Sequence, residues 1–186
     1  MRCLLAVLAA CACVAQTPEA LERELDSVAR VASVMVDGDV CQRIVTKRAL
    51  ASILEVNPGD KWLASDNYDV NHEPFIQTKK TLARLARLVA FPADVNLWMP
   101  LPGEPRRVHI VIRGVNEISQ FWPWGALYQE MPPVMNRVLE SGQRIAAKEK
   151  AGFISVLAPV TNSLGDVVGL VEVATRIKPN AHENVK

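Results

Sequence analysis

The residues whose types and spacing suit small-molecule recognition gather in the second half of the chain. In "RVHIVIR" strict alternation places His109 and Arg113 on one strand face, and in "NLW" it gives Asn96 and Trp98 a shared face on the preceding strand. Arginine offers a rigid fork matched to a carboxylate, and neutral histidine offers one donor and one acceptor. Together these side chains suit a pocket floor; an exposed polar sheet face is the competing reading. Glu172 interrupts the apolar run "VVGLVEVAT". An acid in a half-buried strand needs a partner, and Arg113 and His109 are the candidates, with an exposed edge strand as the alternative. The stretch "SQFWPWGALY" holds Trp122, Trp124 and Tyr128, three of only ten aromatic residues in the chain, so this segment carries a disproportionate share of its ring surface. Aromatics on a loop can close over a ligand or cap an open sheet face as a small core.

Other chemistry is sparse. "SDNYDVNHE" collects Asp66, Asn67, Asp69, Asn71, His72 and Glu73, but the spacing misses the calcium-loop pattern with its central glycine and terminal glutamate. It reads as a solvated loop and helix cap, and no metal or other cofactor is expected. Cys41 in "GDVCQRIV" has no activating surroundings and reads as ordinary burial. No convergent acid–base or nucleophile cluster is displayed, so the expectation is a non-enzymatic protein.

The opening "MRCLLAVLAACACVAQ" reads as an export signal over residues 1–15, with Arg2 as the positive end and an apolar stretch too short to span a bilayer. Cleavage after "CVA" releases a soluble protein. "LAAC" (Leu8 to Cys11) offers a lipobox alternative, with Cys11 lipidated. The expected location is therefore periplasmic or extracellular. Cys41 then stays as the lone cysteine of the released form and no internal disulfide forms. Without Arg2 the chain carries 20 basic and 20 acidic residues, a balance that gives nucleic acid no electrostatic handle. At 186 residues, 49% hydrophobic and 22% charged, one globular domain is expected over residues 16–177, with 178–186 as a flexible tail.

The elements that must position these residues follow from periodicity. Thr17 caps and Pro18 opens a long helix whose stripe is Leu21, Leu25, Val28, Ala32 and Met35. A second helix is expected over Val40 to Leu54 and a third from Pro74 to about Ala90, with Lys80, Arg84 and Arg87 as a solvated stripe. From Ala93 the period changes to two. A strand pair precedes the irregular aromatic segment; a short helix from Pro132 or Pro133 to Ser141 follows, then a strand near Arg144 to Lys148. A final hairpin turns at "TNSLGD", where Gly165 takes a positive φ. Helices followed by strands predict α+β with a five-stranded antiparallel sheet and the long N-terminal helices packed on one face.

This order, and the closing residues Ala158-Pro159-Val160, Gly165 and Val167 to Val173, resemble the single-module Cache domains, extracytoplasmic PAS-like sensors. The resemblance implies a small ligand on the sheet face opposite the long helix, dimerising N-terminal helices, and a role in signal sensing. No transmembrane helix or output module follows, so signalling would run through a partner such as a membrane receptor. Amine-binding relatives carry an acid just after the "VVGV" strand; Ala174 stands in that region here, with Glu172 two residues earlier. An interaction module built on the Trp122 to Tyr128 loop is the alternative function.

Overall fold

The computed structural model describes residues 17–55, 69–122, 126 and 128–177. The expected signal and lipobox at 1–15, the tail at 178–186, and Trp124 lie outside the described residues.

Helix α1 (Pro18–Met35) starts where Thr17 Oγ1 accepts the Ala20 N–H at 3.3 Å, with Pro18 at its head and Glu19 in the first turn. Leu21, Leu25, Val28, Ala29 and Ala32 are buried along one face. The stripe does not end on Met35, which is 59% exposed; Val36 turns inward instead. Position 36 lies four residues past Ala32, so it continues the buried face, while 35 has rotated off it.

The expected second helix is two. Helix α2 (Gly38–Cys41) is capped by the Asp37 carboxylate, and helix α3 (Lys47–Glu55) begins after Thr46, whose Oγ1 accepts the Ala49 N–H at 3.1 Å. Between them runs Ile44-Val45-Thr46. Three β-branched residues in a row disfavour helix, and Thr46 serves better as a cap than as an interior residue. Val45 pairs instead with Val70 as an isolated bridge. Gly38 sits against the Thr161 backbone so closely that a Cβ would collide with its carbonyl. Gly38→Ala should therefore destabilise the fold by about 1–3 kcal/mol despite alanine's better helix propensity, read as a lower urea midpoint.

Helix α4 (His72–Leu85) runs into a 3₁₀ turn at Ala86–Leu88. The sheet follows as β1 (Ala93–Leu101), β2 (Glu104–Ile112) and β3 (Gln129–Glu130). After α5 (Pro133–Ser141) come β4 (Ile145–Ala147), β5 (Phe153–Thr161) and β6 (Val167–Arg176). All neighbours pair antiparallel, in the order β3-β2-β1-β6-β5-β4. The architecture is α+β, with six strands where five were expected. The extra strand, β3, is two residues long and falls in the aromatic segment, too short to show a period of two.

Each sheet face has its own core. Leu97, Val95, Val156, Ala158, Val171 and Val173 pack with the buried side of α1. Trp98, Ile110, Leu157 and Leu170 point the other way and are covered by Phe121 and by Val134, Met135 and Val138 of α5. Burial of one such large side chain contributes about 1.5–3 kcal/mol. The closing turn forms as expected: Gly165 has φ 87°, and Asn162 Oδ1 accepts the Leu164 and Asp166 N–H groups at 3.0 and 2.8 Å. Pro159 is tolerated in β5 because β4 covers only Ser155, Val156 and Leu157. Among the described residues no helix is long and apolar enough to cross a membrane.

Candidate functional site

The register of the central strands sets Asn96 opposite Glu172 and Leu157 opposite Glu172, so the acid stands mid-sheet on the face away from α1. It has no solvent exposure. Its Oε2 accepts from Ser119 Oγ (2.6 Å), Trp98 Nε1 (3.1 Å) and Asn96 Nδ2 (3.3 Å), and its Oε1 accepts from Ser155 Oγ (2.9 Å) and the Gln120 N–H (3.1 Å). Burial pushes the Glu172 carboxyl above the usual carboxylate range, opposed by these donors in the order Ser119, Gln120, Ser155, Trp98. The partners are therefore neutral donors, not the expected Arg113 or His109.

Glu172 is one member of a polar ladder that fastens segment 114–122 over the sheet. Asp94 Oδ1 accepts from Asn116 N (3.2 Å) and Nδ2 (3.0 Å), while Asp94 Oδ2 accepts from Ile118 N (2.8 Å). Asn96 accepts from Gly114 N (2.8 Å) and donates to the Ile118 carbonyl (2.9 Å). Gln120 donates to the Ala147 carbonyl and accepts from Glu149 N and Lys150 N, tying the segment to the far side of the sheet. Gly114 must remain small, because a Cβ there would collide with the Asp94 carboxylate. With both Glu172 oxygens occupied and no route for solvent, this arrangement orders a loop; it offers no reacting group.

Asn96, Trp98 and Glu172 are thus brought together, but as a filled polar core and not as a pocket floor. His109 and Arg113 do not share a face. A register shift at Leu97/Trp98 leaves Val111 bulged between Ile110 (opposite Trp98) and Ile112 (opposite Leu97). His109 pairs with Met99 and faces the helices, whereas Arg113 emerges on the opposite face; a bulge reverses the alternation beyond it. Burial pushes the His109 imidazole down to about 4, so it is neutral at ordinary pH. Arg113 stacks 4.2 Å over the Trp122 ring and pairs with Glu117 at 3.7 Å. Tyr128 is buried beside Leu101 and Ile53, with Arg107 5.0 Å over its ring. Ser119, Gln120, Ser155 and Asp94 escaped sequence reasoning. Ser155 interrupts the apolar run "FISVLAPV" as Glu172 interrupts its own, and that shared anomaly on paired strands was the available signal.

Open space lies at the end of the sheet. A groove of about 410 Å³ runs between α4 with its 3₁₀ extension and the adjoining ends of β1 and β2. Leu82, Ala86, Val89, Phe91 and Ile112 supply apolar wall, and Lys79, Arg87 and Arg113 are also among the lining residues. Among the described residues no three His, Cys, Asp or Glu side chains converge as metal ligands. Asp69, from the polar loop, pairs with Arg48 at 3.4 Å. Cys41 is buried in α2, and burial pushes its thiol up to about 12, leaving it a poor nucleophile.

Comparison with protein-family models finds none that matches the chain, and comparison with curated proteins finds no match.

Proposed function

We propose that the chain is a non-enzymatic, exported, Cache/PAS-like sensor domain that binds a small molecule and signals through a protein partner. The ligand is held in the groove between α4 and the β1–β2 end. The observation that carries this reading is the groove itself. At about 410 Å³ it falls in the usual range for ligand sites, and it combines apolar wall with convergent polar groups. The central sheet face, where the family resemblance would put a ligand, is occupied by the Glu172 ladder and by Phe121. Trp122 is half-buried under Arg113 and Tyr128 is buried, which makes the aromatic loop a weaker candidate for a protein-docking surface.

The test is a thermal-shift screen of the protein against organic acids, amines, amino acids and purines. A ligand at 100 times its dissociation constant adds about 2.7 kcal/mol of stability. Ala83 is an exposed groove residue of α4, so Ala83→Trp fills the groove without entering the core. The expected result is a hit whose shift disappears in this variant. A screen without hits, or a hit that Ala83→Trp leaves intact, refutes the groove as the site.

A further inference from the structure

We infer that the groove recognises its ligand by an apolar body, a hydrocarbon chain or ring, and that a charged head adds nothing to the affinity. This inference rests on the groove being the ligand site. The first support is that the polar groups converging on the groove are engaged with one another. Asp94 is 1% exposed and accepts from Asn116 N, Asn116 Nδ2 and Ile118 N. Asn116 Nδ2 also donates to the Ala93 carbonyl at 3.3 Å, Gly114 N donates to Asn96, and the Pro92 carbonyl accepts from Thr175 Oγ1 at 2.7 Å. The cations among the lining residues are placed in the same way. Lys79 Nζ lies 5.3 Å over the Phe75 ring, the Arg113 guanidinium is stacked on Trp122, and Arg87 is exposed to water. A charged head drawn into the groove would give up hydration without a partner to replace it.

The second support is the apolar wall and its rim. Ala86, Val89 and Phe91 are half-buried: each packs on the core beneath α1 and also lines the groove. Val115 extends this wall. It is 83% exposed, although it is apolar and β-branched. Its flanks hold it there, because Gly114 N is bonded to Asn96 and Asn116 N to Asp94. One exposed valine is ordinary, but here it continues a concave wall that already carries Val89 and Phe91. A ligand body laid along that wall removes apolar surface from water on both sides of the contact. Each CH₂ group buried in this way strengthens binding about fourfold.

The experiment is titration calorimetry on the full chain with hexanol, octanol, octanoate and octylamine as probes. Octanol is expected to bind about tenfold more tightly than hexanol, through its two further CH₂ groups. Octanoate and octylamine are expected to bind through the same body and no more tightly than octanol. The acids and amines of the thermal-shift screen should then rank by apolar size and not by charge. Lys79→Gln and Arg87→Gln, both at exposed positions, should leave octanoate affinity unchanged to within about threefold. The apolar inference is overturned if octanol fails to bind or gains nothing over hexanol. It is equally overturned if either charged probe outbinds octanol by more than about threefold, or if Lys79→Gln or Arg87→Gln weakens octanoate beyond that margin. In those cases the groove still stands where Ala83→Trp blocks whichever probes or screen hits bind. Probes that bind equally well to Ala83→Trp overturn the groove itself.

Discussion

Glu172→Ala should cost the domain about 4 kcal/mol or more. Five donors converge on this carboxylate, from Asn96, Trp98, Ser119, Gln120 and Ser155. Truncation leaves them facing a void, and each buried donor without a partner costs about 1–3 kcal/mol before any of them finds another. Since domains are stable by only about 5–15 kcal/mol, this variant should express poorly or unfold at low denaturant. Glu172→Gln makes the argument quantitative. Its amide NH₂ is best placed where Oε1 was, because the Ser155 hydroxyl can turn to accept while the Gln120 N–H cannot. One buried N–H then opposes another donor, for a loss of about 2–3 kcal/mol. Guanidinium unfolding followed by far-UV circular dichroism reads both variants. A Gln variant as stable as the parent would mean that the folded chain already holds Glu172 as the neutral acid, with Ser155 accepting its proton.

The distribution of legible and illegible features has a physical pattern. The helix–sheet layering and the Gly165 turn were readable because they rest on local periodicity and on one glycine's access to positive φ. The shared face of Asn96 and Trp98 was readable for the same reason: alternation holds within an unbroken strand. The opposite faces of His109 and Arg113 were not, since the bulge at Val111 depends on pairing with β1, a partner chosen in three dimensions. Glu172 was recognisable as an anomaly, but its partners come from β1, β5 and a loop more than fifty residues upstream. Charge complementarity suggested Arg113; the structure instead uses neutral donors, which satisfy a carboxylate without burying a second charge. The groove was invisible because α4 and the β1–β2 end meet only on folding. The reading of Lys80, Arg84 and Arg87 as a solvated stripe agrees with their exposure; that Arg87 also lines the groove was not readable.

His109 makes the second large prediction, a loss of stability on acidification that this one side chain causes. Burial lowers its pKa from 6.5 to about 4 in the folded chain. The unfolded chain keeps the ordinary value, so below it the unfolded state binds a proton that the folded state refuses. His109 therefore withholds nothing at neutral pH. Its penalty grows as pH falls from 6.5 towards about 4, reaching on the order of 3 kcal/mol. Glu172 acts in the opposite sense. Its carboxyl is raised, so its contribution is complete below the ordinary value of 4.5 and is lost as pH rises through its folded value. The two slopes partly cancel in the parent, and a bare pH profile of the midpoint cannot assign either. His109→Leu separates them, because the Glu172 slope is common to both proteins and drops out of the difference. Unfolding free energies of parent and variant at about pH 7 and about pH 4.5 should show the parent losing about 2–3 kcal/mol more than the variant between these points. The comparison concerns the change with pH, so any packing cost of leucine beside Met99 is removed as well. Equal losses would mean that the folded chain protonates His109 as readily as the unfolded one, and that this edge of the core admits solvent.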